Sequence, residues 1–71
     1  MNVSIRNQLR GTVISTIPGT VTAEVEIDIG AGNRITGVIS KKSLDKLQIK
    51  PGDQVTALIK ATSVMFATDE H

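Results

Sequence analysis

Hydrophobic and polar residues alternate along three stretches of the chain with the two-residue period of a β-strand. The clearest stretch is TVTAEVEIDI, where apolar side chains fall on one face and carboxylates on the other. A similar alternation runs from Gln8 to Ile17, and it resumes in RITGVIS after the segment GAGN, which predicts a hairpin turn. The residues expected on the inner face are Leu9, Gly11, Val13, Ser15 and Ile17, followed by Val21, Ala23, Val25, Ile27 and Ile29.

The period changes in SKKSLDKLQIKPGD, which predicts a short helix. Ser40 or Ser43 would cap it, and Leu44 and Leu47 would lie on its buried face. The dipeptide PG then ends the helix in a turn.

The last run, QVTALIKATSVMF, alternates again, but both of its faces carry apolar residues. Val55, Ala57, Ile59 and Ala61 fall on one face, and Leu58 lies on the other. A strand that is apolar on both faces favours a core on one side and a partner chain on the other.

Four or five strands, one short helix and no parallel crossover predict an all-β fold. The expected architecture is a small, closed or nearly closed barrel of the oligonucleotide/oligosaccharide-binding (OB) type. We expect a single domain over residues 1–71 with a marginal core, because the chain has 71 residues, no cysteine and a single aromatic residue, Phe66. Because the core is marginal, we expect the protein to form an oligomer.

Composition argues against several functions. Eight Lys and Arg against seven Asp and Glu give a net charge of +1, without the basic excess of a nucleic-acid binder. No apolar run is long enough to span a bilayer and no secretory signal is evident, so we expect a cytoplasmic protein without membrane contact. With no cysteine, no internal histidine and no P-loop, an enzyme is not expected.

Two acidic and glycine-rich features have ordinary structural interpretations. Glu24, Glu26 and Asp28 are two residues apart on a strand, about 6.6 to 6.8 Å, too far for neighbouring carboxylates to share an ion unaided. We expect them to form a solvated face. GAGN is expected to be a turn and not a phosphate cradle, because no helix follows it. The only histidine, His71, is terminal, and we expect no metal site.

Three sets of hydrogen-bond donors remain, each with hydroxyls beside a cation or at a helix start. On the residues alone, two interpretations stay open: surface charges with an ordinary helix cap, or donors to an anion. The sets are Ser4 with Arg6, Lys60 with Thr62, and Ser40 with Ser43.

The segments SIRNQLRGTV, GTVTAEVEIDIGAGNRITGVIS and PGDQVTALIKATSVM, in this order, resemble the molbindins, small molybdate-binding proteins also called Mop proteins. The resemblance covers about residues 3–65 and rests on the opening SIRNQ together with the closing VTALIKAT. It implies an OB-like, MOP-type barrel, and a homohexamer built as a trimer of dimers with exchanged strands. It also implies oxyanion sites between subunits, for binding and storing molybdate or tungstate in the cell.

The resemblance further implies which residues contact the anion. Ala61 would act only through its backbone N–H, and the two serines near the helix would come from the neighbouring subunit. Asn7 and Gln8 are expected to fix the backbone. The metal is bound as an oxyanion, with no direct protein ligands. The implied contact residues are Ser4, Arg6, Ser40, Ser43, Lys60, Ala61 and Thr62.

Two other functions are weighed against this one. A small OB-type module for single-stranded nucleic acid is the alternative, although such modules use stacked aromatic residues and basic grooves. A purely structural assembly module would account for the oligomer but for neither donor pair. This chain has one Phe and almost no excess charge, which argues against the nucleic-acid alternative.

Overall fold

In the computed structural model, which describes residues 3–69, four antiparallel strands form one curled sheet. The helix α1 (Lys41–Leu47) packs against β2 (Thr22–Gly30) and β3 (Asn33–Ser40), and a 3₁₀ turn, Ala61–Ser63, follows β4 (Gln54–Ile59). The prediction of an all-β fold with one short helix is confirmed. The strands are β1 (Asn7–Pro18), β2 (Thr22–Gly30), β3 (Asn33–Ser40) and β4 (Gln54–Ile59).

The sheet forms half of a barrel, because its two edges do not pair with each other. The strand order is β3-β2-β1-β4, which leaves β3 and β4 as edges on either side of an apolar groove. The buried hydrophobic side chains are Val13, Ala23 and Ile27 on the inner face and Leu44 from α1. Val21, expected on the inner face, lies instead in the turn between β1 and β2 and is 74% exposed.

A bulge in β1 changes which residues face the core. The register with β2 shifts between Val13 and Ser15 and leaves Ile14 as an extra residue. Because strand side chains alternate with a period of two, one extra residue moves the following positions to the opposite face. The prediction that Ser15 and Ile17 share the inner face with Val13 is therefore wrong. Ile17 pairs with Glu24 on the outer face and is 61% exposed.

The GAGN segment forms the predicted hairpin turn between β2 and β3. Ala31 and Gly32 form a two-residue loop with φ of 54° and 78°, the left-handed geometry of a type I′ turn. The Asp28 side chain accepts a hydrogen bond of 2.8 Å from the Gly30 N–H. This carboxylate therefore stabilises the turn.

The helix α1 begins where the sequence predicts it and ends earlier. Ser40 is the N-cap and accepts a hydrogen bond of 3.0 Å from the Ser43 N–H. Leu44 is buried as expected, but Leu47 is 64% exposed because the helix stops there and Gln48 turns left-handed at φ 53°. No helix among the described residues has the length and apolar character needed to cross a membrane.

β4 is shorter than the alternating pattern predicts. Asn7, the first residue of β1, pairs with Ile59, so no partner strand remains for residues after Ile59. Lys60 leaves the sheet and the chain enters the turn Ala61–Ser63. The prediction that Ala61 continues the last strand on the same face as Ile59 is therefore wrong.

Candidate oxyanion site

The register of β1 and β4 brings the opening and closing motifs to one end of the sheet. Arg6 precedes β1 and Lys60 follows β4, next to the paired residues Asn7 and Ile59. Paired strands lie about 4.8 Å apart, so these two basic residues leave the sheet as neighbours. The Asn7 side chain joins the strands further, since its Nδ2 donates a hydrogen bond of 3.1 Å to the Ile59 carbonyl.

Arg6 and Lys60 are exposed and lack a carboxylate partner within residues 3–69. The one salt bridge in this part of the chain joins Lys41 Nζ to Asp45 at 2.7 Å, on α1. Two positive charges at one end of the sheet are thus available to an anion.

The 3₁₀ turn adds backbone donors beside these cations. Ser63 N–H donates to the Lys60 carbonyl at 2.8 Å, and Val64 N–H donates to the Ala61 carbonyl at 3.4 Å. The first amides of any helical turn have no partner inside it. The N–H groups of Ala61 and Thr62 accordingly have no acceptor among the described residues. The sequence pattern does not predict this turn. The turn leaves both N–H groups available to an anion.

The side chains of Asn7 and Gln8 hold the backbone, as expected from the sequence. Gln8 Nε2 donates a hydrogen bond of 2.7 Å to the Ile5 carbonyl, while Asn7 bonds to the end of β4. These two hydrogen bonds hold the start of β1 and the segment before it, which restricts the positions that Ser4 and Arg6 can adopt.

Ser40 and Ser43 lie away from the two cations in the sheet. Ser40 pairs with Thr22, beside the end of β1 at Pro18, whereas the cations flank its beginning at Asn7. The eleven residue steps of β1 between these ends correspond to about 36 Å of extended strand. The register thus places Arg6 beside Lys60, with Ala61 and Thr62 directly after it, and sets Ser40 and Ser43 apart. Ser4 lies in a bend three residues before β1.

The start of α1 offers fewer free donors than the sequence suggests. Ser40 Oγ takes the Ser43 N–H and donates to Ser43 Oγ at 2.8 Å, and Lys41 N–H donates to the Val21 carbonyl at 2.8 Å. The Ser43 hydroxyl, the Lys42 N–H and the Lys42 ammonium are the donors left at this end among the described residues. Any anion contact here therefore depends mainly on a side chain.

The candidate site residues offer hydrogen-bond donors and positive charges, and none of them is a carboxylate. No group of three or more His, Cys, Asp or Glu side chains within residues 3–69 is arranged to hold a metal ion. His71 lies outside the described residues. Cations, hydroxyls and amides without a carboxylate among them suit an anion that has no proton to donate.

A further feature is the apolar groove between β3 and β4. The sequence pattern indicates it only through the last strand, which is apolar on both faces. It has a volume of about 540 Å³. Beyond β4, Val64, Met65 and Phe66 are exposed by 37%, 90% and 93%. Residues lining the groove include Ile35, Ile39, Leu47, Ile49, Val55 and Ile59.

Comparison with known proteins places this arrangement in a family. The TOBE domain matches residues 3–66. Molybdenum-pterin-binding protein 1 of Clostridium pasteurianum is 48% identical over 66 residues, which are 93% of this chain and 97% of that protein. The chain therefore belongs to the TOBE domain family and, within it, to the Mop proteins, and the resemblance to the molbindins is confirmed.

Two solved structures share the fold. MopII from Clostridium pasteurianum superposes with a TM-score of 0.89 and 45% identity, over 94% of this chain and 100% of that one. A molybdate-binding protein from Sporomusa ovata superposes with a TM-score of 0.88 and 38% identity, over 96% and 100%. The names of the Sporomusa ovata protein and of molybdenum-pterin-binding protein 1 describe binding.

Proposed function

We propose that this protein binds molybdate, or tungstate, as an intact oxyanion and stores it in the cytoplasm without catalysing a reaction. The observation that carries the proposal is the donor set at the shared end of β1 and β4. Arg6, Lys60 and the amides of Ala61 and Thr62 lie there with no carboxylate bonded to them within residues 3–69. The molybdate- and molybdenum-binding names of its relatives support the choice of ligand.

The charges and protons of the ligand match this set. Molybdate at neutral pH is a fully deprotonated tetrahedral dianion, and Arg6 and Lys60 supply two compensating charges. Hydrogen bonds to a charged group contribute about 1.5 to 3 kcal/mol each, so Ser4, Thr62 and the backbone amides would add to the affinity. Phosphate keeps a proton at this pH, and the set contains no carboxylate to accept it, only neutral hydroxyls. We therefore expect phosphate to bind weakly.

The position of Ser40 and Ser43 supports a site shared between copies. Both are implied as contacts by the family resemblance, yet they lie at the other end of β1 from Arg6 and Lys60. A second copy of the chain can supply them where one copy does not. We propose a homohexamer, arranged as a trimer of dimers.

The exposed apolar surfaces support the same assembly. Two unpaired sheet edges flank the apolar groove, and the segment Val64 to Phe66 is exposed outside any strand. Open edges and exposed apolar segments are normally covered in folded proteins. We propose that copies exchange strands, so that an apolar segment of one copy covers the groove of another.

Ligand-dependent thermal unfolding tests the proposal. Molybdate and tungstate should raise the unfolding midpoint, because a ligand at 100 times its Kd adds about 2.7 kcal/mol. Phosphate at the same concentration should have little effect. Equal stabilisation by phosphate would contradict the argument that the site rejects a protonated anion for want of a carboxylate. Titration with a short single-stranded oligonucleotide at two salt concentrations tests the nucleic-acid alternative.

A matched pair of arginine variants localises the site. Arg6→Ala leaves the dianion with one cation in place of two, and we expect a loss of about 3 kcal/mol, or roughly 150-fold in Kd. Arg34→Ala is the control, because Arg34 is also exposed but lies at the β2–β3 hairpin. Calorimetry should show parent-like binding for the control. Parent-like binding by assembled Arg6→Ala would remove Arg6 from the site.

A further inference from the structure

The outer face of the sheet carries an acidic patch with apolar flanks, formed by Ile17, Glu24 and Val38. Ile17 pairs with Glu24 across β1 and β2, and Glu24 pairs with Val38 across β2 and β3, so the three residues form one row. Ile17 is 61% exposed and Val38 is 69% exposed. The bulge at Ile14 produces this row, since without it Ile17 would face the core.

A basic patch lies toward the other end of the same face, formed by Arg10, Leu58 and Lys60. Arg10 alternates with the buried Gly11 and pairs with Thr56, so both point outward, and Leu58 shares the face of Thr56. Leu58 is 39% exposed, and Lys60 continues the extended backbone at φ −63° and ψ 137°. This patch also combines an apolar side chain with charge, of the opposite sign.

Each patch adjoins one half of the proposed oxyanion site. Val38 and Ser40 are two residues apart on β3 and share its outer face, and Ser40 is bonded to Ser43. The basic patch includes Lys60 itself. Contact between an acidic patch and the basic patch of another copy would therefore bring the serines of one chain toward the cations of the next.

We infer that the acidic patch of one copy docks on the basic patch of a second copy and that this contact completes the oxyanion site. Glu24 and Arg10 provide a charge-assisted pair, while Ile17 and Val38 bury their exposed surface against Leu58. The part that concerns the anion rests on the proposed function.

Charge exchange across the two patches tests the docking. Glu24→Arg and Arg10→Glu each place like charges together, and we expect the dissociation constant of the assembly to rise about tenfold or more. The double variant restores opposite signs and should recover most of the assembly in native mass spectrometry and sedimentation. Lys50→Glu is the control, because Lys50 is exposed in the loop after α1. Single variants that assemble like the parent, or a double variant weaker than both, would overturn the inference.

Molybdate titration of the same variants tests the link to the site. Each single variant should lose assembly and molybdate affinity together, and the double variant should regain both. Dissociated single variants that bind molybdate as tightly as the parent would overturn the link. A parent that binds no molybdate would refute the proposed function, and the assembly measurements would still decide the docking. Circular dichroism confirms that every variant is folded.

Discussion

Substitution of Ala61 by proline would remove one proposed anion donor with little change to the fold. Ala61 is the first residue of the 3₁₀ turn, where proline is tolerated because its fixed φ suits the turn. Lys60, the preceding residue, has φ −63° and ψ 137°, which is the conformation that a following proline favours. The Ala61 N–H has no acceptor among residues 3–69, so no hydrogen bond within this part of the chain is lost.

The expected effect on binding is the loss of one charge-assisted hydrogen bond. Such a bond contributes about 1.5 to 3 kcal/mol, which corresponds to roughly a 10- to 150-fold rise in the Kd for molybdate. Ala61→Gly is the matched control, since glycine keeps the N–H and also lacks a polar side chain. Calorimetric titration of Ala61→Pro, Ala61→Gly and the parent measures the difference directly.

Two results would refute this reasoning. If Ala61→Pro assembles and binds molybdate as tightly as the parent, the amide is not a donor to the anion. If Ala61→Gly loses as much affinity as Ala61→Pro, the loss comes from the backbone conformation and not from the N–H. Unfolding midpoints without ligand should be similar for the proline variant and the parent, because the turn accepts proline.

Three further predictions concern the scaffold around the site. In Gly11→Ala the new Cβ would lie 2.6 Å from the Asp28 carbonyl oxygen, so we expect a loss of about 1 to 3 kcal/mol in thermal unfolding; unchanged stability would contradict the close approach. Asn7→Ala removes the hydrogen bond to the Ile59 carbonyl and should lower the free energy of unfolding by about 1 kcal/mol in urea, with weaker molybdate binding; unchanged binding would show that this bond does not position the donors. Leu58→Lys should shift the protein to smaller species in sedimentation and weaken molybdate binding in parallel, and a folded monomer that binds tightly would refute a shared site.

The parts of the fold that local interactions determine could be predicted from the sequence. In β2 the side chains alternate without interruption, and Ala23 and Ile27 are buried as the pattern requires. The GAGN turn is equally local. Gly32 accepts a positive φ at no cost, and Ala31 is the only non-glycine residue of the loop that adopts one. The start of α1 follows from Ser40, whose side chain bonds a backbone N–H three residues away.

The bulge in β1 could not be predicted from the same kind of pattern. Alternation continues through Val13, Ser15 and Ile17 in the sequence. The register with the bulge and the register without it each place apolar residues of β1 on the inner face. The register is decided by pairing with β2, where Glu24 and Glu26 must stay on the outer face. Pairing with a strand elsewhere in the sequence therefore overrides the local alternation and places Ile17 outside.

The donor arrangement at the end of β4 depends on a similar non-local fact. The alternating pattern predicts one continuous strand over VTALIKAT. A strand in a sheet extends only as far as its partner, however, and β1 begins at Asn7, opposite Ile59. The position of that first residue determines that Lys60 leaves the sheet and that Ala61 and Thr62 present their N–H groups in a turn. The chemistry of the donors can therefore be predicted from the sequence. Their geometry follows from the register of two strands more than forty residues apart.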